Sequence, residues 1–319
     1  MILGHVFQIT NLTDSYIYSL SSLLQFFMPW FFFKSGYFHK NDTFSSIFHK
    51  SIKKLLIPFA IFCAIGHLVY CFINFFQGDT NWQHYILSPF KSILLLGSVT
   101  GNLPLWFLLA LFFVKLLFCS TWEKAKWLLI PILAIAPILY IHQIEYPRLA
   151  ASISSGLFFY IMGYLLKNYK PKPTVSIVFL ISYLLWWIYL PAWVDMNTNE
   201  LLSGYYFLWY PTSLLGIISI NSFFQNFRIK IPFIQQIGSY SMAYYISHWI
   251  ILLLISSILP QWYNNYIKAI ILIISCAIKL PLIAKSYNYD KMKWSWGRKT
   301  KSISFNTSLI HDIIHITEI

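Results

Sequence analysis

The 319-residue chain is 58% hydrophobic and 20% aromatic, with only 10% charged residues. A soluble domain usually carries about 25% charged residues, so no water-surrounded core could hide this much apolar surface, and lipid is the solvent for most of the chain. The net charge of +13 would suit a nucleic-acid binder, but its distribution reads as membrane topology instead.

In chain order, Met1-Ile-Leu-Gly-His5-Val-Phe7 reads as the outer end of a first helix that begins upstream. Apolar stretches near the ~20 residues a bilayer requires then recur at roughly 16–37, 55–76, 104–119, 127–141, 152–166, 174–191, 204–224, 240–259 and 266–285. They are continuously apolar and do not alternate, which predicts helices rather than barrel strands. The expected fold is an all-α integral membrane protein. It is a polytopic helical bundle with nine complete spans plus the outer end of a truncated first helix, ten spans in all. Residues 1–287 form the membrane domain and 288–319 a basic cytoplasmic tail. Between the second and third of these spans, residues 82–102 are apolar, interrupted by Pro89 and ended by glycines, a pattern that predicts a re-entrant or interfacial segment.

Placing the 38–54 loop in the cytoplasm puts 20 of the 23 Lys and Arg on that side. Only Lys91, Arg148 and Lys268 remain opposite. This asymmetry orients the chain with residues 38–54 on the cytoplasmic side, aided by anionic lipid, and leaves nothing for nucleic acid to explain.

The four cysteines form no CxxC pair or metal spacing, and no predicted span contains a carboxylate. HExxH, GxSxG and P-loop patterns are absent. No metal is expected. The ionisable groups at membrane depth are therefore lysines and histidines, which are expensive there and are functional candidates by default. Lys34, Lys115 and Lys279 each lie near a cytoplasmic helix end, where snorkelling is the plain explanation. Lys34 stands out because Ser35-Gly36 and the cluster Lys50, Lys53, Lys54 are its neighbours, an arrangement suited to an anionic ligand. His5 could accept a proton from a hydroxyl at neutral pH, or merely sit wetted at the interface. His67 and His248 fall mid-span, where an interhelical hydrogen bond would satisfy either; for His248, Ser247 and two tyrosines are the candidate partners. Trp106, at an outer helix start, fits an aromatic belt. With His248 it is the remaining candidate for contact with an acceptor substrate.

The run Gln25-Phe-Phe-Met-Pro-Trp-Phe-Phe-Phe-Lys-Ser-Gly-Tyr-Phe38, followed by Lys53-Lys-Leu-Leu-Ile-Pro58, resembles a block of the acyltransferase family 3 membrane O-acyltransferases. Leu105-Trp-Phe-Leu-Leu-Ala-Leu111, Phe158-Phe-Tyr-Ile-Met-Gly-Tyr-Leu-Leu166 and Tyr240-Ser-Met-Ala-Tyr-Tyr-Ile-Ser-His-Trp249 extend the likeness in order, closest to the sugar O-acetylase branch. The resemblance implies ten helices and an acetyl group taken from cytoplasmic acetyl-CoA. It implies delivery to a hydroxyl of an extracytoplasmic glycan, with His5 as catalytic base. The family pattern also has an arginine eleven positions before that histidine, which here would lie upstream of Met1. Its RxxR maps onto Lys50-Ser-Ile-Lys53, which keeps the charge but not arginine's bidentate fork.

The expected function is thus an integral membrane O-acetyltransferase, an acyltransferase of groups other than amino-acyl groups. It acts on a cell-surface polysaccharide or its lipid-linked precursor, with His5 catalytic and Lys34, Ser35, Lys50, Lys53 and Lys54 holding the acetyl-CoA co-substrate. Its partners are the glycan or lipid-linked sugar and the lipid bilayer. A polysaccharide transporter or polymerase is the alternative, and a membrane sensor on the same scaffold is a third class.

Overall fold

The computed structural model describes residues 2–12, 21–78, 82–227, 238, 240–260 and 262–296. The chain divides into one unit of residues 13–220 and another of residues 1–12 with 221–319. Nearly all regular structure is helical.

In the first unit, a turn at residues 24–26 leads into α2 (Phe27–Tyr37); α1 belongs to the other unit. The predicted span 16–37 is therefore not one continuous helix over its described part, and residues 16–20 of it lie outside the described residues. The 38–54 connection is largely helical rather than a loop. Thr43 caps α3 (Phe44–Ser51) by accepting from the Ser46 backbone N–H (3.4 Å), which satisfies one of the orphan donors at a helix start. A π-helical turn, Ile52–Leu56, joins α3 to α4 (Ile57–Phe76). Pro58 is accommodated near the start of α4, where a missing N–H costs little. Leu68, Phe72, Phe75 and Phe76 stand exposed along α4, the surface of a helix that meets lipid.

α5 (Trp82–Leu96) runs straight through Pro89 and stops at Gly97, whose φ of +78° ends the helix. The helix is thus not interrupted at Pro89 as expected, while its end at Gly97 is the glycine end that the sequence predicts. The following residues 97–102 form an irregular, buried turn with a bridge between Val99 and Asn102. α6 (Trp106–Ala125) and α7 (Leu129–Ile141) are separated by a short 3₁₀ turn at 126–128. α8 (Arg148–Leu165) and α9 (Pro173–Tyr189) precede a hairpin of β1 (Ala192–Asp195) and β2 (Glu200–Gly204), paired antiparallel. α10 is Tyr206–Phe227.

α2 and α8 touch backbone to backbone. A Cβ on Gly36 would lie 1.9 Å from the Tyr160 carbonyl oxygen, and one on Gly163 1.9 Å from that of Phe33. Small residues at such crossings replace the hydrophobic driving force that lipid does not supply between helices. α9 is tied to the segment before α2 through Tyr183 Oη, which donates to the Leu23 carbonyl (2.5 Å), and Trp187 Nε1, which donates to Ser22 Oγ (2.9 Å). The β-hairpin is pinned from three sides. Asn199 Nδ2 donates to the Ala136 carbonyl (3.0 Å), Tyr206 Oη to Asn199 Oδ1 (2.7 Å), and Ser152 Oγ to the Met196 carbonyl (3.1 Å).

In the second unit, α1 (Ile2–Thr10), α11 (Ser241–Ile258) and α12 (Asn265–Trp296) pack around Val6, Ile251, Leu252, Ala269, Leu272 and Cys276. α12 continues to Trp296, and residues 297–319 lie outside the described residues.

Among the described residues, four helical stretches are long and apolar enough to cross a membrane: 44–76, 103–141, 206–227 and 241–258. Tyr85–Leu96 and Pro173–Tyr189 are apolar but shorter. α8 coincides with the predicted 152–166 span but is more polar, because Ser152, Ser154, Ser155 and Gly156 serve its contacts and are buried.

Candidate active site

α1 and α11 bring two of the sequence candidates together. The His5 ring stacks on His248 at 5.3 Å between centroids, with the planes inclined by 26°, and meets the edge of Trp249 at 5.0 Å. His5 is half-buried, while His248 is fully buried. Each imidazole is oriented through Nδ1. In His5 that atom lies 3.3 Å from Gln8 Oε1, one turn further along α1. In His248 it lies 2.7 Å from the Tyr245 carbonyl oxygen and 3.0 Å from that of Tyr244. Backbone carbonyl oxygens only accept, so His248 Nδ1 carries the proton and a neutral ring leaves a basic Nε2; at His5 the Gln8 side-chain amide engages Nδ1. Ser247, expected as a partner of His248, instead donates to the Ala243 carbonyl (2.6 Å). The hydroxyl has satisfied itself within its own helix, as serine commonly does.

His67, the other mid-span histidine, is accounted for structurally. Its Nε2 donates to the Tyr85 carbonyl (2.8 Å), linking α4 to α5.

In the first unit, the lysine candidates gather around the end of α2, α3 and the π-helical turn. Lys50 is paired with Asp42 (2.5 Å), and this contact holds the Asp42 carboxyl below its usual range. Lys53 and Lys54 project exposed from the π-helical turn, while Leu55 beside them is buried. An extra residue per turn re-aims side chains, and such turns recur at functional positions. Lys34 lies over the rings of Tyr37 (5.2 Å) and Phe38 (5.7 Å), its Nζ buried without a hydrogen bond. Ser35 is half-buried next to it. Lys115 on α6 lies within Coulombic reach of both Lys54 and His39.

His39 received no role in the sequence reading, yet its Nδ1 shares a 2.7 Å hydrogen bond with Tyr160 Oη, and its ring packs on Phe118 and Tyr164. Burial, and after it the ammonium groups of Lys115 and Lys167, hold its pKa below the ordinary value. The only sequence signal was proximity to the 25–38 run. Trp106 is buried rather than belted at an interface: it is 6% exposed, its ring edge-on to Phe107. Among the described residues no three His, Cys, Asp or Glu side chains are grouped to hold a metal ion.

Residues 1–284 match the acyltransferase-domain family, acyltransferase family 3. The chain belongs to that family. Comparison with curated proteins and with solved structures gives no match. The match takes in α1 with His5, the lysine cluster and α11 with His248, so every candidate of the sequence reading falls inside the acyltransferase domain. With the four apolar stretches long enough to cross a bilayer, the chain is a multi-pass membrane acyltransferase.

Proposed function

We propose that this acyltransferase moves an acetyl group from cytoplasmic acetyl-CoA to a hydroxyl of a cell-surface polysaccharide or its lipid-linked precursor. It would reside in the bacterial inner membrane with nine complete spans after α1 and residues 38–54 facing the cytoplasm. The observation that carries the reading is His5: Gln8 occupies its Nδ1, so Nε2 is left to take a proton. In the reaction the acceptor O–H bond breaks and its proton passes to His5 Nε2. The freed oxygen forms the ester bond to the acetyl carbon, and the carbon–sulfur bond breaks. Coenzyme A leaves as the thiolate and is reprotonated. Lys53, Lys54 and Lys34 supply positive charge for the donor phosphates, with Lys50 and Ser35 at the same rim. His248 serves the acceptor.

His5→Ala in the gene product expressed in its host tests this. Surface-polysaccharide acetylation, followed by mass spectrometry of the repeat unit, should fall by about 10²–10⁴ at unchanged membrane abundance. Wild-type acetyl content in that variant would remove His5 from the mechanism. Altered chain length or export, with no acetyl increment even for the unsubstituted protein, would point to a polymerase or transporter.

A further inference from the structure

His248 and Trp249 are adjacent on α11, both pack against the His5 ring, and both leave a buried polar atom unused. His248 Nε2 and Trp249 Nε1 have no hydrogen-bond partner among the described residues, and the two side chains are 0% and 5% exposed. One of these atoms can be assigned a sign and the other has only one. Trp Nε1–H can only donate. His248 Nδ1 faces two carbonyl oxygens, so it holds the ring proton, and protonating Nε2 as well would bury an imidazolium without a counter-charge. Nε2 is therefore a lone pair that accepts. An unmet buried polar atom costs about 1–3 kcal/mol, so two of them on adjacent residues against the His5 ring favour a group that satisfies them. The stacked arrangement with His5 also rules out a direct proton relay between the rings, which needs an in-plane N–H···N contact.

Building on the acyltransfer reading, we infer that His248 and Trp249 bind a second hydroxyl of the acceptor, next to the one that His5 deprotonates. A hydroxyl both donates and accepts, so it suits an acceptor such as His248 Nε2 and a donor such as Trp249 Nε1. Stacking at 5.3 Å sets His5 and His248 side by side, so the acceptor presents two neighbouring hydroxyls, as a sugar ring with a vicinal diol does. His248 thereby becomes a specificity residue. A polyol is held with the reacting oxygen at His5, and a solitary alcohol is not.

The test separates the two nitrogens of His248. In His248→Asn the amide N–H can still reach the Tyr244 and Tyr245 carbonyls, but nothing stands where Nε2 stood. In His248→Gln an oxygen returns near the Nε2 position. Expected are normal membrane abundance with at least a tenfold loss of polysaccharide acetylation for Asn, partial recovery for Gln, and an intermediate loss for Trp249→Phe. Wild-type acetylation in a normally inserted His248→Asn, while His5→Ala is inactive, overturns this inference and leaves the acyltransfer reading intact. Should the Asn variant fail to accumulate, ¹⁵N-histidine NMR of the unsubstituted protein in micelles decides the matter. A proton on Nδ1 with a bare Nε2 supports the assignment, and an Nε2–H or an imidazolium at His248 refutes it.

Discussion

His5 and His248 take their orientation from atoms one turn away on their own helices, whereas His39 takes its from Tyr160, 121 residues distant. Tyr160 can come that close because Gly36 and Gly163 let α2 and α8 meet at their backbones. The two arrangements fail differently. A ring aimed by local bonds keeps its direction as long as its helix exists, so only its placement against a neighbour depends on packing. The basic rim around α2 depends on tertiary contacts for both. Damage to packing in residues 13–220 should therefore reach donor recognition before it reaches the geometry within α1 and α11.

The largest effect that would test this contrast comes from Gly163→Val. Its side chain would have to enter the space held by the Phe33 carbonyl, forcing α2 and α8 apart. The expected outcome is near-complete loss of folded protein from membranes, read by immunoblot and by fluorescence size exclusion in detergent. Normal yield would mean that the crossing tolerates separation and that the contrast is overdrawn.

Next in size is the donor. Replacing Lys53, Lys54 and Lys115 together by alanine should raise the apparent KM for acetyl-CoA about tenfold or more, as expected from lost charge-assisted contacts, and weaken its salt dependence. Lys50→Ala alone should do much less, because Lys50 is already engaged with Asp42. Equal effects from both variants would place the phosphate contact at Lys50 instead. A smaller change sharpens the comparison further. Tyr160→Phe removes one hydrogen bond to His39 and should cost about 1 kcal/mol, visible as a drop of a few degrees in Tm with kcat retained. A collapse of kcat with an unchanged Tm would join His39 to the chemistry.

The smallest effect is a pH slope. Folding keeps His39 below its ordinary pKa, so the unfolded chain binds the proton more readily than the folded one. The stability tied to this histidine is then complete above the ordinary value, near 6.5, and diminishes as the pH falls below it toward the folded-state pKa. Melting curves between pH 7.5 and 5.5 should show a shallower loss on acidification for His39→Gln than for the unsubstituted protein. Identical slopes would mean that His39 is as protonated in the folded state as in the unfolded one.

Much of this was readable from residue order, and the exceptions have physical causes. Continuous apolar runs located α4, α6, α7, α9 and α11 well, because lipid imposes one solution on a long apolar segment. They misjudged what precedes α2, where Ser21, Ser22 and Gln25 dilute the run and a turn at 24–26 interrupts it, and they took α3 for a loop because an eight-residue amphipathic helix has no membrane signature. The hairpin at 192–204 was invisible, since its strands are too short for alternation to register and their hold comes from Asn199, Tyr206 and Ser152. His5 and His248 were nameable one by one, as ionisable groups where lipid penalises them. Their stacking was not, because 243 positions separate them and only a folded chain closes that distance. Trp249 was passed over for the opposite reason: a tryptophan in a membrane helix is unremarkable until its N–H is found without an acceptor.

The π-helical turn at Ile52–Leu56 holds one residue more than a regular helix would need there, and one residue of helix is about 100° of rotation. Faces of α3 and α4 are thus out of phase by that angle. A single-codon deletion within 52–56 would bring them back into phase and swing Lys53 and Lys54 around the helix axis, leaving the apolar stretch 57–76 as it is. Donor preference in such a protein can drift by insertion and deletion, one residue at a time, without any change to the part that lipid constrains.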